Sequence, residues 1–312
     1  MEPLSTIIIK LRENREFEYN SLSLSECISD LDADLLAEAL KVNISLKSLF
    51  LRRNSMTDKG IKALAKALKT NTTLTSFSLQ VAQINQEEVK ALADAIKTNN
   101  SLTQLGLTSH KQIPGEWMNA LSDALKIKNS IITLSLHGNK LGDQGAKALA
   151  DLLKVNTSLT SLYIGDNDIS DIGIEALADV LKTNTSLKEL DLWNNNIDYK
   201  GGKALANALK INTSLKRLIL GGNNIDDIGV EALADALKTN ISLKELSLAQ
   251  NHISFKGVRA LADALKENNS LVSLNLSNVV SAFLGRNYVG DEGVKALVEA
   301  LKNHTSLNRL EL

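Results

Sequence analysis

Shifted against itself by 28 residues, this chain returns to register, and that recurrence limits the folds open to it more than any other property. The pattern Leu-x-x-Leu-x-Leu-x-x-Asn starts at Leu46, Leu74, Leu102, Ile131, Leu159, Leu187, Leu215, Leu243 and Leu271, with steps of 28 residues except for 29 between Leu102 and Ile131. A degenerate copy runs from Tyr19 to Cys27, and Leu307, Leu310 and Leu312 begin a last one. Such arrays grow by stacking neighbours rather than by enlarging one core, which explains how 312 residues need no linker. With only 4% aromatic residues, Leu and Ala must fill a narrow, layered core.

Each repeat changes period partway. In the unit Ser186 to Ser214, Leu190 and Leu192 alternate as in a strand, whereas Leu205, Ala206 and Leu209 recur at helical spacing. Parallel strands stack at about 4.8 Å and helices at about 9 to 10 Å, so one of each per repeat must curve, strands inside, by roughly 20 to 25° per repeat. The expected fold is an α/β solenoid horseshoe, a right-handed superhelix with its parallel sheet concave and its helices convex. Residues 1–17 form an N-terminal cap and 18–312 one repeat domain.

The strand motif joined to a full helix at this period resembles the leucine-rich repeat proteins of the ribonuclease-inhibitor-like subclass, over about residues 18 to 312. The resemblance implies that Asn54, Asn139, Asn167, Asn195, Asn223, Asn251 and Asn287 form a buried ladder, with Cys27 at the equivalent place in the first copy. It also implies a protein partner of unknown identity, the chain being either an inhibitor of an enzyme or an effector of an intracellular bacterium. The alternative is a GTPase-activating protein similar to the repeat-type activators of small GTPases.

Several columns read as structural. Asp58, Asp143, Asp171, Asp227 and Asp291 are placed to cap helix N–H groups, and the Gly two residues later to ease a tight turn. The Lys column that ends the helices, Lys154 and Lys182 among them, complements helix C-termini, with Asp151 and Asp179 one turn earlier to neutralise it. The sequons at Asn156, Asn184 and Asn212 recur with the repeat.

The pattern breaks in four places. Ala82 and His110 replace the ladder Asn and Glu88 and Glu116 the turn Gly, with Pro114 nearby, so a bend or altered loop is expected there. Eight extra residues, Ser277 to Leu284, enter after a strand; their apolar Val279, Val280, Phe283 and Leu284 either fold back or offer a binding edge. Ile7, Ile9 and Leu11 alternate before Glu13-Asn14-Arg15, which predicts a capping strand or hairpin. Without a polar capping repeat at Leu312, the chain is expected to continue or pair at that edge, as a monomer or a weak edge-mediated dimer.

Between the inward leucines, alternate strand residues must point into the hollow. Most are small and polar. The exceptions are Tyr163, Glu189, Asp191, Trp193, Arg217 and Ile219 in the middle, with Gly165 and Gly221 flanking Trp193 and leaving its ring unscreened. An aromatic pair beside mixed charges has the composition of an interface hot spot, unless Trp193 simply lies over its neighbours. Phe50 with Arg52 and Arg53 is a second candidate, and His137 also points inward.

No chemistry competes with binding. His110, His137, His252 and His304 lie in different repeats without ligand spacing, and the Asp166 to Asp171 stretch lacks the Gly and Glu of a calcium loop, so neither cofactor nor metal is expected. Gly201-Gly202 and Gly221-Gly222 match no phosphate loop, and no nucleophile constellation marks an enzyme. With 35 basic against 36 acidic side chains, no general drive toward nucleic acid or anionic membrane exists. The absence of a secretory or spanning segment, and a single cysteine, point to a cytoplasmic setting, or to a host cytosol for a delivered effector.

Overall fold

The computed structural model describes residues 3–15, 20–25, 28–109, 115–127, 130–278, 287–302 and 304–312, with backbone alone at 115–117. Cys27, His110 and Pro114 lie outside the described residues, as does the greater part of the insertion that begins at Ser277. The chain divides into two compact units, Met1–Lys140 and Leu141–Leu312.

The first unit runs α1 (Leu4–Arg12), β1 (Ser21–Ser25), α2 (Asp30–Val42), β2 (Ser48–Asn54), α3 (Asp58–Thr70), β3 (Ser76–Val81), α4 (Gln86–Thr98), β4 (Gln104–Ser109), α5 (Gly115–Ile127) and β5 (Thr133–Ser135). Its strands pair in parallel in chain order. The second unit runs α6 (Gly142–Leu153), β6 (Ser161–Tyr163), α7 (Asp171–Leu181), β7 (Glu189–Asp191), α8 (Tyr199–Leu209), β8 (Arg217–Ile219), α9 (Asp227–Thr239), β9 (Glu245–Ser247), α10 (Phe255–Leu265), β10 (Ser273–Asn275), α11 (Gly290–Leu301) and β11 (Arg309–Glu311), again parallel and sequential. This is the alternating strand and helix of an α/β repeat solenoid. The inward leucines Leu190 and Leu192, and the helix residues Leu205, Ala206 and Leu209, are all buried, so strand and helix share one core.

The start of the chain is a helix, not the strand or hairpin that the alternation of Ile7, Ile9 and Leu11 predicts. The buried set is Ile7, Ile8 and Leu11, which share a helical face, while Ile9 is 51% exposed. Helix α1 serves the first repeat as any preceding helix serves the next. The Asn43 side chain donates to the Leu11 carbonyl at 2.8 Å, as that of Asn71 donates to Leu40 at 2.7 Å.

The ladder asparagines are buried and span repeats. Asn195 accepts from the Asn167 and Ile169 N–H groups and donates to the Ile164 and Leu192 carbonyls, at 3.0 to 3.2 Å. Just before Asn167, Asn195, Asn223 and Asn251 the chain turns through a left-handed residue: Asp166, Asn194, Gly222 and Gln250 all have φ between 50° and 69°. Where Ala82 stands in place of the amide the chain bends, as expected, and His110 lies outside the described residues. Strands β3 and β4 pair as far as Gln80 opposite Thr108 and Val81 opposite Ser109.

A second asparagine column lies at the helix exits. Asn212 donates to the Leu181 and Asn184 carbonyls and accepts from the Ser214 and Leu215 N–H groups; Asn184, Asn240 and Asn268 sit alike. The recurring sequons are therefore a folding signal. His304 stands last in this column and keeps only half the role: Nδ1 accepts from the Leu307 N–H at 3.0 Å, while its buried Nε2 has no hydrogen-bond partner.

The aspartate and glycine columns act differently from expectation. Asp143 accepts from Ser170 N–H at 2.8 Å and Gly173 N–H at 3.0 Å, so it caps the next repeat's helix, while Ser170 caps its own. Gly173 has no left-handed φ to accommodate. A Cβ there would meet Ile169 Cγ2 at 2.7 Å and Asp143 Oδ1 at 2.8 Å, so close approach of neighbouring helices demands it. Glu88, in the Gly column, compensates by folding its own carboxylate onto the Asn85 N–H at 2.6 Å. It is 3% exposed, and burial pushes its carboxyl above the usual range.

Candidate functional site

In each unit helices cover one side of the strands; the other side is open and carries the alternate strand residues. In the second unit the register sets Tyr163 beside Asp191 beside Ile219, and Glu189 beside Arg217 beside Glu245, as the repeat spacing requires. Five of the sequence candidates are half-buried here, namely Tyr163, Glu189, Asp191, Trp193 and Ile219, and Arg217 is exposed.

Trp193 is not the unscreened ring that its flanking glycines suggest. A Cβ on Gly221 would lie 2.1 Å from its Cζ3, and one on Gly222 3.3 Å from its Cε2, so the indole rests on the Gly221-Gly222 backbone. The glycines are its seat. Its own N–H donates to the Asp191 carboxylate at 2.8 Å, and its carbonyl accepts from the Asp166 N–H at 2.7 Å, which ties the ring's backbone to both sides.

Around the ring the charges are ordered. The Tyr163 hydroxyl donates to Glu189 Oε2 at 2.6 Å; burial, that bond and the carboxylate's charge hold the phenol above its usual range. Asn194 donates its amide to Asp166 at 2.8 Å. Arg217, opposite Glu189, is bonded on its other side to Glu245 at 3.2 Å. Arg309 and Glu311 pair farther along at 2.6 Å.

The remaining candidates belong to the first unit. Phe50 on β2 is half-buried between Ser23 and Ser78, with Arg52 exposed beyond it, and His137 is exposed after β5. Sequence reading missed the contact of Trp193 with Gly222 and the role of Asp166; the signal was there, since both adjoin named residues in the turn after the strand.

Beside the patch, Ile219, Arg217, Glu245, Ser247, Asn275 and Glu311 line a depression of about 130 Å³, well below the roughly 300 Å³ at which small-molecule pockets begin. Among the described residues no group of three His, Cys, Asp or Glu side chains could hold a metal ion, and no helix is long and apolar enough to cross a membrane. On the helix side Lys154 pairs with Asp151 at 2.8 Å and Lys182 with Asp179 at 3.0 Å.

Residues 85–200 match the TMOD/LMOD leucine-rich domain, and residues 42–65, 212–234 and 239–262 match the leucine-rich repeat family. A solved structure, the leiomodin-1 actin-binding site 2, aligns at 26% identity over 51% of this chain and 91% of that one, with a TM-score of 0.43. No curated protein matches the chain. Matches spread from residue 42 to residue 262, over a chain of alternating strand and helix, show that it belongs to the leucine-rich repeat proteins, a typically non-catalytic family of protein-interaction scaffolds.

Proposed function

We propose that this protein is a non-catalytic scaffold that holds a protein partner against the open sheet face of its second unit, with Trp193 and Tyr163 as anchors. The observation that carries this reading is the seating of Trp193. The fold needs no aromatic on that face, yet two consecutive glycines make a bed for one and leave it half-exposed. Tyr163, fixed by Glu189, stands one repeat away. Rigid, partly screened aromatics beside hydrogen-bonded charges lose little conformational entropy on binding, which is what interface anchors share. Whether the partner is an enzyme under inhibition or a host protein bound by an effector is a matter of its identity.

Affinity capture with the intact protein beside the Trp193→Ala and Tyr163→Ala variants tests the reading. Trp193→Ala should weaken capture by about 2 kcal/mol, roughly 30-fold, and lower stability by about 1 to 2 kcal/mol, since the half-buried indole loses its packing on Gly221 and Gly222. Capture that survives both substitutions unchanged would move the site elsewhere.

A further inference from the structure

We infer that two copies of this chain dock through the helix side of the first unit, α2 of each lying over α3 of the other. The inference goes beyond the partner reading of the sheet face and is independent of it.

Helices α2 and α3 depart from the repeat in complementary ways. Leu35 stands where α3 to α11 all have alanine, Ala63 and Ala91 among them, and Leu31 stands where α3 and α4 have Lys59 and Glu87. Both leucines are exposed, Leu31 at 70% and Leu35 at 40%. One turn apart, they form an apolar strip on the side of α2 away from its buried Ala33, Leu36 and Leu40. Asp34 and Glu38 border the strip. Lysines hold the matching places on α3, Lys62 and Lys66, and Lys66 is the one basic residue in a column that is otherwise acidic or asparagine. The two sets flank a single cleft of about 430 Å³, with Asp34 and Glu38 on one wall and Lys59, Lys62, Ala63 and Lys66 on the other. They do not pair across it. Glu38 pairs with Lys41 and Lys62 with Asp58, each within its own helix, and among the described residues Asp34 and Lys66 make no ion pair.

Such a surface is complementary to itself. Asp34 and Lys62 are equivalent positions of adjacent repeats, as are Glu38 and Lys66, so acid and base stand at the same level on neighbouring helices. A twofold axis parallel to α2 and α3, midway between them, therefore sets Asp34 of each copy over Lys62 of the other and Glu38 over Lys66. The same operation lays Leu35 on Ala63 and Leu31 on the methylenes of Lys59. Exposed charge pairs are individually weak, so the leucines supply the adhesion and the charges the register.

Sedimentation equilibrium of the intact protein, from low micromolar concentration upward, should show a reversible dimer that weakens as salt rises. Asp34→Lys combined with Glu38→Lys sets base over base, Lys62→Glu combined with Lys66→Glu sets acid over acid, and each double variant should associate about tenfold more weakly. Mixed in equal amounts, the two should form a dimer containing one copy of each, because the basic α2 of the first then meets the acidic α3 of the second and the acidic α2 of the second meets the basic α3 of the first. Leu35→Ala, which restores the residue of the other repeats, should weaken the dimer about fivefold with the fold intact. A protein that stays monomeric throughout, double variants that associate as the parent does, or a mixture no more associated than its components would each overturn the inference.

Discussion

Asp198 shows how one side chain can offset a repeat from its neighbours. One repeat earlier and two repeats later a serine stands here, and Ser170 donates its hydroxyl to Asp143 at 2.8 Å, as Ser254 does to Asp227 at 2.5 Å. Asp198 instead sets a second carboxyl against Asp171. Burial, and then the hydrogen bond with Asp198, raise the Asp171 carboxyl above its usual range. For Asp198, burial acts upward but is outweighed by its bonds to Asp171 and the Lys200 N–H, so it falls below. A raised acid contributes stability at low pH that is lost as pH rises through its folded value, and a depressed one loses its contribution as pH falls. Asp198→Ser removes the repulsion while keeping a cap for the Lys200 N–H, as Ser254 does for Lys256. It should stabilise the protein at neutral pH by about 0.5 kcal/mol, small because solvent screens both groups, and the gain should vanish below about pH 4. Urea titrations at the two pH values would read it. None of this is legible in the letters, because Asp171 reads there as a cap for its own helix. The bond to the next repeat appears only once neighbours are stacked. Trp193 is alike: period-two alternation places it on the open face, but whether its ring stands out or lies on Gly221 is decided by a side-chain torsion that no pattern encodes.

Among the elements, the helices are where packing overrules propensity. Gly173 lies in the first turn of α7, and alanine there would gain up to about 1 kcal/mol of helix propensity. Its Cβ, however, would fall within 3 Å of Ile169, Asp143 and Ala146, two of them on the preceding helix. Relief requires separating α6 from α7 or displacing the Asp143 carboxylate from the Ser170 and Gly173 N–H groups, and overpacking of this kind costs about 1 to 3 kcal/mol. Gly173→Ala should therefore destabilise by about 1 to 2 kcal/mol in a denaturant titration, against the sign that propensity alone predicts. The strand and helix boundaries were readable because the period switches from two to 3.6 within each repeat. The N-terminal helix was not, since in Leu4–Arg12 the apolar residues satisfy both periods, and only the surface of α2 selects Ile8 over Ile9.

For the molecule as a whole, each repeat holds its predecessor together more than itself. The side chain of Asn223 illustrates the direction: its carbonyl oxygen accepts from Asn195 N–H at 3.1 Å and Ile197 N–H at 3.2 Å, both one repeat earlier, and its amide donates to Leu192 as well as to Leu220. Asn223→Ala leaves those two N–H groups buried without an acceptor, a loss of about 3 kcal/mol. Hydrogen exchange in the variant should accelerate at Asn195 and Ile197, whereas Asn224 N–H, bonded to the Ile197 carbonyl at 2.8 Å, should keep more of its protection. The insertion after β10 leaves this coupling intact, for Asn278 and Asn287 exchange two 2.8 Å bonds across its base and Asn287 still accepts from Asn251 and Ile253. Exchange that instead rises first within the substituted repeat would mean that the ladder stabilises turns locally, and that the array is coupled through its leucines alone.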